Sequence, residues 1–151
     1  WKLRTDERVV NLERTNFRYL DKETVGEEID FASVDVSFIS LKIILPVLRE
    51  FLKNNGKSVC LIKPQFEAGR ENVGKKGVVR DKNVHVDVVE SIVKFALELG
   101  FDVKGLTFSP VKGPEGNIEY LIYLKNGLGV SEVSESAPKE VVELSHLELD
   151  K

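Results

Sequence analysis

The stretch that most constrains this chain is residues 58–80, SVCLIKPQFEAGRENVGKKGVVR, where an apolar run, Val59-Cys60-Leu61-Ile62, stops at Lys63-Pro64 and gives way to a glycine-rich basic loop. Pro64 has no N–H to give a sheet ladder, and its ring pushes Lys63 out of helical space. A strand is therefore expected to end here with a lysine at its tip. In open, mostly parallel α/β sheets, ligands sit in the crevice beyond the carboxyl ends of the strands. A lone lysine there would read as a side chain snorkelling to solvent. Two strand-borne carboxylates in a similar setting, Asp35 and Glu119, turn it into a candidate site.

The remaining elements alternate. Residues 8–14, RVVNLER, carry a short β-type run closed by the turn formers Thr15-Asn16. After a polar connector, residues 29–38 read as a strand interrupted by Asp30 near its start and Asp35 near its exit. Ser40 is placed to cap a helix through about residue 54, with Leu41, Ile44, Leu45, Leu48, Phe51 and Leu52 on one face, Pro46 inside it and Asn55-Gly56 ending it. A strand over 57–63 follows. Asn83 is placed to cap a second helix with Val88, Val89, Ile92, Val93, Ala96 and Leu97 on its buried face and Gly100 past its end. Residues 101–108 form a strand weakened by Gly105, and residues 118–125, IEYLIYLK, are the strongest β pattern in the chain. Such alternation argues for an α/β fold with a mostly parallel sheet buried on both faces. The loop joining the last two strands is too short for a helical crossover, so that pair should be antiparallel.

Composition narrows the function. At 151 residues the chain is one domain by length, and 25 acids outweigh 22 bases for a net charge of −3, so nucleic-acid contact must come from a local patch. The loop 63–82 offers one: Lys63, Arg70, Lys75, Lys76, Arg80 and Lys82 against Glu67, Glu71 and Asp81. Such a surplus on a loop can grip phosphates, and it also suits a solvated loop. The single cysteine, Cys60, falls in the apolar run and reads as a core residue of a protein from a reducing compartment. No run approaches the ~18 apolar residues of a membrane span, no basic-then-apolar leader opens the sequence, and a cytoplasmic location is expected. No metal site is expected. The chain begins at Trp1 and contains no methionine, which reads as a piece of a longer protein.

Four blocks carry a family resemblance: DVSFISL (35–41), the Lys63-Pro64-Gln65-Phe66-Glu67 run with Gly69, GVVRD (77–81), and SPVKGPEGNIEYL (109–121). Together, and in this order, they resemble the hemolysin-A (TlyA) family, similar in fold to the FtsJ-type 2′-O-methyltransferases, over about residues 1–125. The resemblance implies a Rossmann-like sheet, mostly parallel with a final antiparallel strand and missing its first β-α region. It implies methylation of ribose 2′-hydroxyls in ribosomal RNA, with S-adenosyl-L-methionine as donor, on a Lys-Asp-Lys-Glu tetrad. Asp35, Lys63 and Glu119 match three members; the first lysine and the glycine-rich cofactor turn would lie upstream and are absent, as is the family's small RNA-binding domain. It also implies that Glu13, Arg14, Thr15 and Asn16, with Asp35, meet the cofactor. Residues 1–129 would then be a partial methyltransferase domain, and 130–151 an acidic tail, helical from Pro138.

The chemistry suits these residue types. A 2′-hydroxyl must be made nucleophilic and held in line with the methyl donor, and a positioned lysine can take or share its proton. RNA contact falls to Arg70, Lys75, Lys76 and Arg80. Two other readings stand beside the enzyme. One is a non-catalytic RNA-binding or self-associating piece, a homo-oligomer through an exposed sheet edge, since a missing strand leaves backbone groups unpaired. The other, a membrane-active hemolysin, finds no support in the helical patterns, which have the stripe of ordinary core helices.

Overall fold

The computed structural model describes residues 5–150. A one-turn helix α1 (Lys22–Val25) precedes β1 (Ile29–Val34), and α2 (Leu41–Phe51) leads directly into β2 (Leu52–Ile62). A single turn, α3 (Pro64–Glu67), opens the basic loop, which ends at the long helix α4 (Lys82–Glu98). Then come β3 (Phe101–Phe108), β4 (Tyr120–Asn126) and α5 (Ala137–Leu149). The strands form one sheet in the order β1-β2-β4-β3.

β1 runs parallel to β2, while β4 lies between β2 and β3 and is antiparallel to both. Three strands thus point one way and the last one points back, as expected. Along β2 and β4 alternate side chains, Ser58, Cys60 and Ile62 with Tyr120, Ile122 and Leu124, are fully buried. They join Leu41, Ile44, Leu45 and Leu48 of α2, Val89, Ile92 and Ala96 of α4 and Val142 of α5 in one core. The opposite face is only half covered: Val59, Leu61, Leu121 and Tyr123 keep partial exposure. The expectation of a sheet buried on both faces therefore holds for one face among the described residues.

Local signals account for most boundaries. The Ser40 side chain accepts from the Lys42 amide at 3.0 Å and starts α2 where expected. That helix stops at Phe51 rather than near residue 54, because Leu52 is drawn into the ladder opposite Ile29 and its carbonyl accepts from the Asn126 side-chain amide. The register then slips between Ile29 and Phe31, so residues 53–56 bulge out, with Asn55 taking the left-handed turn at φ +65°. Asp81, not Asn83, caps α4, accepting from the Asn83 amide at 2.8 Å. Gly105 marks a register shift in β3, the irregularity its missing side chain permits.

One expected strand does not form. Residues 8–14 are irregular, with turns only at 8 and at 13–14, held by local contacts such as Arg8 to Asp6, with Val10 81% exposed. Their β pattern has no ladder partner among the described residues, and an unpaired strand is not stable in water.

Two buried polar residues outside the sequence expectations hold the loops. Asp102, at the start of β3, accepts from the amides of Leu128 and Val130 at 3.0 and 2.8 Å and fixes the turn after β4. The Val130 amide holds its carboxyl below the usual range; burial opposes this, and Leu128 and Lys125 add to it. Asn117, 3% exposed, ties two loops together: its Oδ1 accepts from Val79 N at 3.1 Å, and its Nδ2 donates to the carbonyls of Gly77 and Pro114. Replacing it strands the Val79 amide and the Gly77 carbonyl, while Pro114 keeps the Asn117 backbone N–H, so Asn117→Ala should lower stability by ~1–3 kcal/mol in urea unfolding. Asp102→Asn should be less stable than wild type at neutral pH. Because the native carboxyl titrates below its unfolded value, that difference should shrink as the pH falls below about 4, which unfolding curves taken at stepped acid pH would show.

Candidate active site

The antiparallel strand builds the site. Because β4 runs against β2, its first residues stand beside the carboxyl ends of β1 and β2. Ile62 pairs with Tyr120 in the ladder, which places Lys63 and Glu119 next in register across the strands. Val34, the last residue of β1, pairs with Cys60, so Asp35 emerges at the same end. Three residues separated by up to 84 positions (119 − 35) thereby share one rim of the sheet.

Pro64 shapes the lysine's position as the sequence implied. Lys63 is extended (φ −114°, ψ 100°), and Pro64 takes the first position of α3, where its missing N–H costs no helical bond. Lys63 is 8% exposed. Its ammonium forms an ion pair with Asp35 and donates to the Ser37 hydroxyl at 3.3 Å. Its Nζ also lies 6.0 Å from the Phe66 ring centroid. Asp35 remains largely open to solvent, so the pair joins a buried cation to an accessible carboxylate.

Glu119 is 6% exposed and is held by a different partner. Gln65 Nε2 donates to its Oε2 at 2.9 Å, while the Gln65 Oε1 is buried without a hydrogen-bond partner among the described residues. Gly113 lies against the same carboxylate so closely that a Cβ there would overlap it. The trio therefore divides into a Lys63–Asp35 pair and a Glu119–Gln65 pair on a common rim.

Sequence reasoning missed four residues. Gln65 and Glu67 both sit in α3, which the sequence reading treated as loop. Glu67 secures that turn to α2: its carboxylate accepts from the Ser40 hydroxyl and, at 2.8 Å, from the Leu41 amide. Burial raises the Glu67 carboxyl above its ordinary value, and those two donors oppose the rise. Phe38 and Phe66 pack with ring centroids 4.9 Å apart beside Lys63. Phe38 is 90% exposed and adopts φ +63°, rare for a bulky residue. The only signal for these in the sequence was their position beside Asp35 and Lys63.

The other expected site residues lie elsewhere. Arg70, Lys75, Lys76 and Arg80 are all exposed on the loop between α3 and α4, with Lys76 in a left-handed turn. The loop is anchored by the buried Val78 and Val79. Glu13 to Asn16 are exposed, and Thr15 and Asn16 bond locally, to Glu13 O and Arg18 N. A cavity of about 500 Å³ opens at the start of β1, between Val10, Leu12, Val25 and Phe31, and neither residues 13–16 nor Asp35 lines it. The residues expected to meet S-adenosylmethionine thus supply surface side chains rather than a shared cavity, and by themselves they do not fit the cofactor. Cys60 is fully buried in the core, and burial pushes its thiol up to about 11, which leaves it unreactive. Among the described residues no helix is long and apolar enough to cross a membrane, and no cluster of metal-ligating side chains is formed.

The FtsJ-like methyltransferase family model matches residues 1–126. A candidate rRNA methyltransferase, YqxC, of Bacillus subtilis (strain 168) is 51% identical over 150 residues, which are 97% of this chain and 53% of that protein. The 16S/23S rRNA (cytidine-2′-O)-methyltransferase TlyA of Mycobacterium tuberculosis (strain ATCC 25618 / H37Rv) is 44% identical over 125 residues, 83% of this chain and 47% of that one. The solved structure of a candidate hemolysin from Streptococcus thermophilus superposes with a TM-score of 0.93 at 47% identity, covering 99% of this chain and 55% of that one. The chain thus spans about half the length of the curated relatives it matches. Its sheet order, its lysine–carboxylate rim and its match along most of its length lead to one assignment: the chain belongs to the FtsJ-like methyltransferase family.

Proposed function

We propose that this chain carries the acceptor half of a ribosomal RNA 2′-O-methyltransferase, with Lys63, Asp35 and Glu119 as its catalytic residues. The observation that carries the reading is the rim itself: a buried ammonium ion-paired with an accessible carboxylate, beside a second buried carboxylate. In this arrangement Lys63 orients the 2′-hydroxyl and, once its ammonium has passed a proton to the Asp35 carboxylate, takes the hydroxyl proton as the oxygen becomes nucleophilic. Asp35 is the counter-ion that keeps the ammonium aimed at the rim, and Gln65 holds Glu119 in place. S-adenosyl-L-methionine is the methyl donor this reading requires; no step is assigned to it, because residues 13–16 and Asp35 supply surface side chains and no shared cavity.

The RNA partner is supported by two surfaces. The exposed Arg70, Lys75, Lys76 and Arg80 extend from the rim on the loop that follows it and suit phosphate contacts. The exposed Phe38 ring, packed on Phe66 next to Lys63, offers a face on which an unpaired base can stack. A cytoplasmic location follows from the RNA partner. Self-association through the outer edge of β1, which no other strand of the described residues covers, is a second proposal.

In the intact protein, Lys63→Ala should reduce methylation of ribosomal RNA by ~10²–10⁴-fold with RNA binding kept. Undiminished methylation would remove the enzyme reading in favour of a binding module. Gly113→Ala, which crowds the Glu119 carboxylate, should lower kcat with little change in KM for RNA. Removing any one of Arg70, Lys75, Lys76 or Arg80 should weaken RNA binding uniformly across sequences and reduce its salt slope by about 1. A monomer in light scattering at high concentration would dispose of the edge proposal.

A further inference from the structure

The chain has two histidines, and they meet. His85, near the start of α4, is 1% exposed, and its Nδ1 lies 3.1 Å from Nε2 of His146, in the last turns of α5. The outer nitrogens face acceptors. His85 Nε2 is 2.7 Å from the Val79 carbonyl, and His146 Nδ1 is 3.0 Å from the Asp150 carboxylate.

We infer that His85 and His146 hold a single shared proton and act as a pH-sensitive clamp joining α5 to the two loops that flank the rim, at 77–80 and 109–119. The inference stands independently of the reaction proposed above.

The hydrogen count carries it. A carbonyl oxygen only accepts, so His85 Nε2 bears a hydrogen. The hydrogen bond from Lys112 holds the Asp150 carboxyl below its usual range despite burial, so Asp150 stays an acceptor and His146 Nδ1 bears a hydrogen too. Two inner nitrogens 3.1 Å apart then need one hydrogen between them. The Tyr120 hydroxyl, 2.9 Å from His85 Nδ1 and 2.9 Å from Ser145 Oγ, can satisfy the His85 nitrogen but leaves His146 Nε2 facing a lone pair. Three hydrogens on four ring nitrogens make one positive charge on the pair. With two, lone pairs oppose each other; with four, N–H groups do.

The surroundings decide where the charge rests. Burial opposes it on His85, whose pKa is lowered mainly for that reason, and Asp150 attracts it to His146. The other groups facing the pair are Tyr120 of β4, Ser145 of α5, Lys112 through Asp150, Asp81 at the cap of α4, and Arg80, which helps line a cavity of about 170 Å³ there. Tyr120 is pushed up to about 12 by burial and stays protonated throughout. Tyr120 follows Glu119 directly, and Val79 sits on the Asn117 tie, so the clamp braces the carboxylate end of the rim.

The pH dependence has two limbs. On the acid side, the unfolded His85 takes up a proton before the folded one, so stability falls as the pH drops below about 6.5. On the alkaline side, loss of the shared proton sets two lone pairs against each other and frees the last turn of α5.

Nitrogen-resolved NMR of the imidazoles in the intact protein at about pH 7 tests this directly. Three protonated ring nitrogens and one bare nitrogen, with a coupling across the ring-to-ring hydrogen bond, are expected. Two protonated and two bare nitrogens, or four protonated, overturn it. His146→Gln keeps a donor toward His85 but cannot titrate. The folding equilibrium of wild type should weaken by up to about tenfold per pH unit on the alkaline limb, and that slope should vanish in the variant. An identical alkaline slope in both proteins overturns the clamp, and if the variant fails to fold the NMR count on the unaltered protein decides.

Discussion

Everything at the rim depends on one ladder, the antiparallel pairing of β4 with β2. Had the last strand run parallel, Glu119 would lie at the far end of the sheet from Lys63. Reversed, and inserted between β2 and β3, β4 brings its first residues to the carboxyl ends of its neighbours. The short connection from β3 to β4, with no room for a crossover helix, enforces that direction. The same insertion buries Tyr120, Ile122 and Leu124 in the centre of the core, so the most hydrophobic part of the sheet holds the site in register.

Around this ladder, buried polar side chains perform the work that packing alone cannot. Glu67 joins α3 to the start of α2, Asn117 joins the basic loop to the loop before Glu119, and Asp102 closes the turn after β4. Each satisfies backbone groups at a loop or helix end that would otherwise be buried without partners, at a net cost of a few kcal/mol apiece. The histidine pair belongs to the same class. Its difference is that its bonding pattern is complete only with one proton too many for two neutral rings, and this makes a structural joint sensitive to pH.

The site also shows how a charge is kept buried. Lys63 is nearly enclosed, yet its partner Asp35 is open to solvent, so the pair avoids the full desolvation of two ions while holding the ammonium in one direction. Glu119 is handled differently, by an uncharged amide whose second polar atom has no partner among the described residues.

Much of this was legible in the order of residues. Pro64 ended β2, Ser40 began α2, Gly105 loosened β3, and the four family blocks named the trio Asp35, Lys63 and Glu119, because these signals act on neighbours in the chain. The strand over 8–14 was misread because a β pattern states only that a segment can pair, and pairing needs a partner elsewhere. Gln65, Glu67 and Asn117 fall inside the family blocks, but, as with Asp102 and the His85–His146 contact, nothing local showed what they bind, since their partners lie 26 to 61 residues away. The sequence by itself determined where the long helices and the four paired strands lie, because their signals act between neighbours in the chain. Only the tertiary structure decided which residues share a proton, a cation or a carboxylate, because those contacts exist once the sheet has closed the distance between them.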